Sequence, residues 1–166
     1  VIRICEKIMI FFKKKNFYKK IKLKKTNKIK KQLINYINSD TDSKKYDNVS
    51  KTNWNKNLKP NCEMIMFYYN NFHSEIKKEI KCDCDVGLVW YQKYDKNSKS
   101  SHEYHNHYDV NNCHLSGIYY AKLKSKKLIT KFIVDDNIVT PNVSEGDLIL
   151  FDSRILHMSP PNETNH

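Results

Sequence analysis

The chain has 166 residues, the length of one ordinary domain, and its 39% hydrophobic content is enough to fill a single core. Its 3 glycines and 4 prolines exclude collagen-like and proline-rich classes, and no apolar run approaches the roughly 18 residues needed to cross a bilayer. The net charge of +12 comes from residues 1–31, which carry thirteen of the 30 basic side chains and one acid, Glu6. Residues 32–166 are electrically balanced, so the basicity belongs to an N-terminal lysine-rich arm.

The lysine-rich arm has two interpretations. A lysine block can bind nucleic-acid phosphates or an anionic surface by releasing counterions. Alternatively, the lysines reflect a lysine- and asparagine-heavy composition and lie on a solvated helix face. The block between Lys13 and Lys31 holds no arginine and few aromatic residues, so it does not suggest base reading.

The first third of the chain is predicted to be helical. Thr26 can cap a helix in which apolar residues recur at helical spacing and which ends near Ser39. Residues 39–59 are polar and are predicted to form a loop. A second amphipathic helix is predicted over residues 62–80, because its large apolar side chains trace one stripe.

From residue 85 the pattern changes to short strands. Val, Leu and aromatic residues without helical period predict strands over residues 86–94, 115–123, 128–134, 138–140, 147–151 and 155–158. The second and third of these strands are expected to pair as a hairpin across a short polar break. Helices followed by short antiparallel strands predict an α+β domain with a barrel or jelly-roll half.

Five of the seven histidines lie between residues 102 and 157. His105 and His107 are two residues apart, and Asp109 follows two residues later. Side chains at i and i+2 of an extended backbone point to the same side, so either His105 with His107 or His107 with Asp109 can converge. His157 lies far downstream, after the predicted strand over residues 147–151. Two close ligands and one distant histidine on a β scaffold are typical of a facial metal triad, although solvated loop histidines would give the same letters.

From residue 86 onward the chain resembles the iron(II)/2-oxoglutarate-dependent oxygenases, in particular phage and marine-bacterial members related to prolyl hydroxylases. The resembling segments, in the order and spacing of that family, are VGLVWYQKY (86–94), HNHYD (105–109), LSGIYYAKL (115–123), EGDLILF (145–151) and SRILHMSPPN (153–162). The resemblance implies a double-stranded β-helix, or jelly-roll, whose mouth holds Fe(II) and 2-oxoglutarate. It also implies a dioxygenase that uses O2 to hydroxylate a small-molecule or peptide substrate, with decarboxylation of 2-oxoglutarate to succinate.

The resemblance also assigns site residues. His105 would be the proximal iron ligand and His157 the distal one, with His107 where the family commonly has a carboxylate. A shifted register with Asp109 in the short pair stays open. Tyr94 and Tyr120 are candidates to line the cosubstrate pocket, and core tyrosines are the alternative.

The family has a basic residue, usually arginine, about ten residues past the distal histidine. A planar two-pronged donor suits the far carboxylate of 2-oxoglutarate. Counting from His157 places this residue at or beyond His166, where the sequence stops. We therefore expect a chain truncated at its C-terminus, without the last strand and the carboxylate anchor, and inactive or poor at holding 2-oxoglutarate.

On this interpretation the chain divides into the lysine-rich arm (1–31), a helical support region (32–84) and the catalytic β-helix (85–166). The odd number of cysteines, without CxxC pairs or a secretory signal, favours reduced thiols and a cytoplasmic location. One alternative is a cupin-like metal-binding protein, although the glutamate that cupins place after the histidine pair is not found at residues 110–112. The other is a nucleic-acid or anionic-surface binding module driven by residues 1–31.

Overall fold

The protein has an α+β fold of helices and antiparallel sheets. The computed structural model describes residues 2–4, 17–41, 44–46, 49–53, 62–81, 84–96, 101–107 and 114–163, and for residues 2–4, 44–46, 49 and 84 it describes the backbone alone. The described helices are α1 (Thr26–Ser39), α2 (Cys62–Tyr68) and α3 (Ser74–Ile80), with a π-helical segment, Tyr69–His73, joining α2 to α3.

The described strands are short and follow one another closely after residue 84. In chain order they are β1 (Ile2–Ile4), β2 (Tyr18–Ile21), β3 (Lys44–Tyr46), β4 (Val49–Thr52), β5 (Cys84–Val86), β6 (Gln92–Lys93), β7 (His102–His105), β8 (Leu115–Tyr119), β9 (Lys131–Val134), β10 (Asn137–Val139), β11 (Leu148–Asp152) and β12 (His157–Ser159). Within the described residues they form a five-stranded sheet in the order β2-β11-β8-β1-β5 and a four-stranded sheet in the order β10-β9-β12-β7. A three-stranded sheet has the order β3-β4-β6.

The five-stranded and four-stranded sheets pack against each other through aromatic side chains. Phe132 of β9 and Phe151 of β11 are almost fully buried, and their ring centroids lie 4.9 Å apart. Ile149, Tyr120 and Val143 belong to the same hydrophobic cluster. Burial of one such side chain is worth about 1.5–3 kcal/mol, so this layer between the sheets stabilises the half of the chain that carries the histidines.

The helices cover the other face of the five-stranded sheet. Successive residues of a strand point to opposite faces, so Leu148 and Leu150 face the helices while Ile149 and Phe151 face the second sheet. Phe72 and Ile76 pack into the cluster with these two leucines. The helices therefore cover one face of the five-stranded sheet. Its other face packs against the four-stranded sheet, which carries His105 and His157.

Part of the lysine-rich arm is built into this domain. Strand β2 pairs with β11, and Ile21 and Ile29 are core residues. Four lysines form ion pairs with acids of the remaining chain: Lys19 with Glu79, Lys20 with Asp147, Lys24 with Glu75, and Lys30 with Glu145. Exposed pairs of this kind contribute about 0–1 kcal/mol each. Residues 5–16 of the arm lie outside the described residues.

The predicted ranges of the helices agree with the structure, but the predicted N-cap does not. Helix α1 covers the predicted range, but Thr26 is not its cap: Lys25 occupies that position in a left-handed conformation without a side-chain cap bond. The prediction of a helical first third is wrong at Ile2–Ile4 and at Tyr18–Ile21, which are strands; along β2 only Ile21 lies fully in the core. The predicted loop over residues 39–59 is wrong at Lys44–Tyr46 and Val49–Thr52, because strands whose cross-strand neighbours are polar resemble loops in sequence.

Two predictions about strands are also wrong. The segment 86–94 is not one strand: β5 ends at Val86 and β6 spans Gln92–Lys93, because the chain crosses here from the five-stranded to the three-stranded sheet. The predicted hairpin does not form, since β8 pairs with β11 and β1, whereas β9 pairs with β10 and β12. A 3-10 turn at Lys126–Leu128 carries the chain between the two sheets instead.

No helix in the described part of the chain is both long enough and apolar enough to cross a membrane.

Candidate metal centre

His105, His107 and His157 meet at one point. Their ring centroids are 4.9 Å apart for His105 and His107, 4.4 Å for His105 and His157, and 5.0 Å for His107 and His157. Each ring offers one nitrogen such that the three nitrogens lie within 4.8 Å of one another. The structure thus brings together the three histidines that the sequence nominated. Asp109, the alternative ligand, lies outside the described residues.

His157 is the most firmly held of the three. It begins β12, opposite His105 in the ladder with β7, and its ring lies 4.9 Å from the ring of Phe151 and 5.8 Å from that of Phe132. Its Nδ1 lies 3.0 Å from the carbonyl oxygen of Ile155. A carbonyl can only accept, so Nδ1 carries the proton and Nε2 keeps its lone pair in the neutral ring.

His105 has the same arrangement at the end of β7. Its Nδ1 lies 2.7 Å from the carbonyl oxygen of Glu103, two residues earlier, and must donate to it. The Nε2 lone pair of His105 is therefore also available for a metal. A ring nitrogen anchored to a backbone carbonyl is the usual way in which a metal-binding histidine is oriented.

His107 follows β7 and is held through its backbone. Its N–H donates to the carbonyl oxygen of Ser153 over 2.9 Å, which ties this part of the chain to the turn after β11. The ring is buried, and its edge faces Trp90 at a centroid distance of 5.6 Å. His107 therefore reaches the cluster without belonging to a strand.

The cluster is chemically suited to bind a cation. Burial, reinforced by the neighbouring imidazoles, lowers the pKa of His107 to about 3. Burial likewise lowers the pKa of His157 to about 4, although its bond to Ile155 opposes the shift. Both rings are neutral at pH 7, and neutral imidazoles are ligands for iron, cobalt, nickel, copper and zinc.

The histidines open onto a pocket with a volume of about 830 Å³, which both predicted tyrosines also line. Tyr94 donates its hydroxyl hydrogen to Oε1 of Gln92 over 3.2 Å, and burial raises its pKa. Tyr120 is buried, and burial raises its pKa to about 12. Its hydroxyl lies against Thr130 without a hydrogen bond of normal geometry to any described group.

The sequence did not identify His102 as part of this cluster. Its ring centroid lies 4.0 Å from that of His105, and Nε2 of Gln92 lies 3.3 Å from its Nδ1. Residues three apart on a regular strand point to opposite faces, so the spacing argued against contact. A register shift lies between the pairs His157–His105 and Ser159–His102, and such an irregularity brings the two rings onto one face. A bulge of this kind leaves no sequence signal that could have predicted it.

The sequence also gave no indication of the groups that hold the ligands. The carbonyls of Glu103, Ser153 and Ile155 hold the three histidines, and main-chain acceptors are not encoded by residue type. Phe132 and Phe151 enclose His157, and their apolar character suggested only a core role.

Comparison of the chain with protein-family models, with curated proteins and with solved structures finds no match.

Proposed function

We propose that the protein is an Fe(II)/2-oxoglutarate-dependent dioxygenase that hydroxylates a small-molecule or peptide substrate. The observation that carries this proposal is the meeting of His105, His107 and His157 at a pocket that Tyr94 and Tyr120 also line. Three ligands from two separate segments leave coordination positions open for a cosubstrate and oxygen, as in facial iron sites.

The topology around the histidines supports a jelly-roll, which we propose as the architecture of this half. From β7 to β12 the chain alternates between the four-stranded and five-stranded sheets: β7 lies in the first, β8 in the second, β9 and β10 in the first, β11 in the second, and β12 in the first. Two facing antiparallel sheets linked by such crossings are typical of jelly-rolls. The histidines lie where β7 ends and β12 begins.

The donor set fits a divalent transition metal. An ion held by three imidazole nitrogens at about 2.1 Å separates them by about 3–3.5 Å. The three nitrogens lie at most 4.8 Å apart, so small ring rotations suffice to close the site. The Nδ1 atoms of His105 and His157 are anchored to backbone carbonyls, so Nε2 is the nitrogen through which each ring would bind the metal.

The pocket also has groups that suit a dicarboxylate. The buried hydroxyl of Tyr120 lacks a partner of normal geometry, and a carboxylate oxygen would accept from it. Four lysines line the same pocket: Lys96, Lys122 and Lys124 add positive charge, whereas Lys93 is paired with Asp95, which also lines it. Arg154 is not among the described lining residues, because its guanidinium binds Asp152. Among the described residues, the far carboxylate would therefore rely on Tyr120 and lysine.

The metal with 2-oxoglutarate and oxygen would supply the oxidising chemistry of hydroxylation. The chain would hold the three imidazoles in place through carbonyls of Glu103 and Ile155 and the backbone bond of His107. Phe132 and Phe151 would exclude water from the buried side of His157. Tyr120 would orient the cosubstrate by donating its hydroxyl hydrogen to a carboxylate, whereas Tyr94, whose hydrogen is donated to Gln92, would line the pocket beside it.

Release of labelled CO2 from 2-oxoglutarate tests the proposal without knowledge of the substrate, because these enzymes turn over slowly without it. Because the chain is expected to hold 2-oxoglutarate poorly, the assay uses 2-oxoglutarate at a concentration well above its dissociation constant. We then expect CO2 and succinate in equal amounts with Fe(II) present, and loss of at least tenfold in His157→Ala. His73→Ala, which changes a histidine on the π-helical segment outside the cluster, is the matched control. Metal binding without decarboxylation would instead support a cupin-like protein, and activity that survives His157→Ala would refute the ligand assignment.

A further inference from the structure

The turn that follows β11 holds two of the three clustered histidines. The carbonyl oxygen of Ser153 accepts the backbone N–H of His107, and the carbonyl oxygen of Ile155 accepts from Nδ1 of His157. The backbone N–H of Ser153 also donates to the carbonyl oxygen of His114 over 3.2 Å. The segment 152–155 is therefore bonded to both described ends of the β7–β8 connection and to the distal histidine.

The side chains of Asp152 and Arg154 form an ion pair across this turn, the Asp152–Arg154 fork. Oδ1 of Asp152 accepts from the backbone N–H and from Nε of Arg154, each over 2.9 Å, and Oδ2 accepts from the guanidinium as well. The backbone N–H of Ile155 donates to the carbonyl oxygen of Asp152 over 3.0 Å. A bidentate carboxylate–guanidinium pair has a fixed planar geometry, so it restricts the backbone between its two members.

The burial and hydrogen bonding of Asp152 favour a persistent pair with Arg154. The side chain of Asp152 is mostly buried, whereas about half of the Arg154 side chain is exposed. Burial alone would raise the pKa of Asp152, but the bonds from Arg154 outweigh it and hold that pKa below its usual range. The hydroxyls of Ser153 and Ser116, both buried and 3.0 Å apart, fix the middle of the turn against β8.

We propose that the Asp152–Arg154 fork is a positioning device for the metal centre. It fixes the turn whose Ser153 and Ile155 carbonyls set the place of His107 and the ring plane of His157. Neither fork residue contacts the metal in this account, so both act through the backbone. The inference rests on the proposed metal site but not on the identity of the cosubstrate.

Cobalt(II) titration of the whole chain tests this role, with the visible absorption band of the bound ion as the readout. Arg154→Gln removes the fork and should weaken cobalt affinity by about 10–100-fold, the usual effect of losing a group that orients a ligand. It should also shift the band, because the geometry around the ion changes. Lys20→Gln is the control, since it removes the ion pair between Lys20 of β2 and Asp147, which lies just before β11 and at the opposite end of that strand from Asp152.

A second variant keeps the test decisive if Arg154→Gln does not fold. Arg154→Lys retains the charge but loses the two-pronged geometry, and we expect it to bind cobalt at least threefold more weakly than the unchanged protein. Affinity and band position equal to those of the unchanged protein, in whichever of the two variants folds, would overturn the inference. Failure of the unchanged protein to bind cobalt would instead refute the proposed metal site.

Discussion

The change in the free energy of unfolding of the metal-free protein between pH 7 and pH 5 tests the burial of His107 and His157. The pKa of His107 is lowered to about 3 and that of His157 to about 4, from the ordinary 6.5, chiefly by burial. At pH 5 the folded protein keeps both rings neutral, whereas the unfolded chain binds a proton at each. Stability rises with pH wherever the unfolded state binds more protons, so the free energy of unfolding must fall as the pH drops below about 6.5.

The size of this fall follows from the same values. Each of the two histidines removes about 2 kcal/mol between pH 7 and pH 5, and the loss levels off as the pH passes below the folded-state pKa. His157→Gln removes one of the two histidines. Between pH 7 and pH 5 the free energy of unfolding of this variant should therefore fall by about 2 kcal/mol less than that of the unchanged protein.

Urea unfolding at both pH values, with a chelator present, measures these differences. Comparing the pH dependence of the unchanged protein with that of the variant removes the contribution of the carboxylates, because they titrate in both. Equal pH dependence of the unchanged protein and His157→Gln would refute the burial argument.

Three further predictions concern the surroundings of the site. Phe132→Ala should lower the free energy of unfolding by about 3–5 kcal/mol, and Phe132→Leu by clearly less, because the ring fills the layer between the sheets; urea titration measures both. Gly146→Ala should cost more than about 1 kcal/mol in the same assay, since Gly146 has a φ of +89° that alanine adopts only with strain. Cobalt at about 100 times its dissociation constant should stabilise the unchanged protein by about 2.7 kcal/mol in thermal unfolding, and should leave His157→Ala unchanged.

The helices and the convergence of the three histidines could be predicted because their signals are local or depend on residue type. Apolar side chains between residues 62 and 80 repeat at the spacing of one helix face, and the structure has helical segments over that range. The strand period predicted that His105 and His107 converge; they do, although His107 lies beyond the end of β7 and is held by its bond to Ser153. His157 was nominated by its place after a strand, together with the family resemblance.

The pairing of the strands could not be predicted from local pattern. Strands β8 and β9 look like a hairpin in sequence, but β8 pairs with β11 and β1, whereas β9 pairs with β10 and β12. Strand β4 is polar beside its neighbour β6, so it resembled a loop. His102 reaches the cluster only through a register irregularity that depends on β12, and the holding carbonyls of the turn after β11 have no residue signature.

Measurement of bound metal per chain, after loading with Fe(II) or cobalt(II) without oxygen, tests the central claim most directly. The account predicts one ion per chain in the unchanged protein, none in His157→Ala, and still one in Asp109→Asn. Loss of the ion in Asp109→Asn but not in His105→Ala would indicate that His107 and Asp109, rather than His105 and His107, form the short ligand pair. An unchanged protein that binds no ion, or a His157→Ala variant that still holds one, would contradict the three-histidine centre.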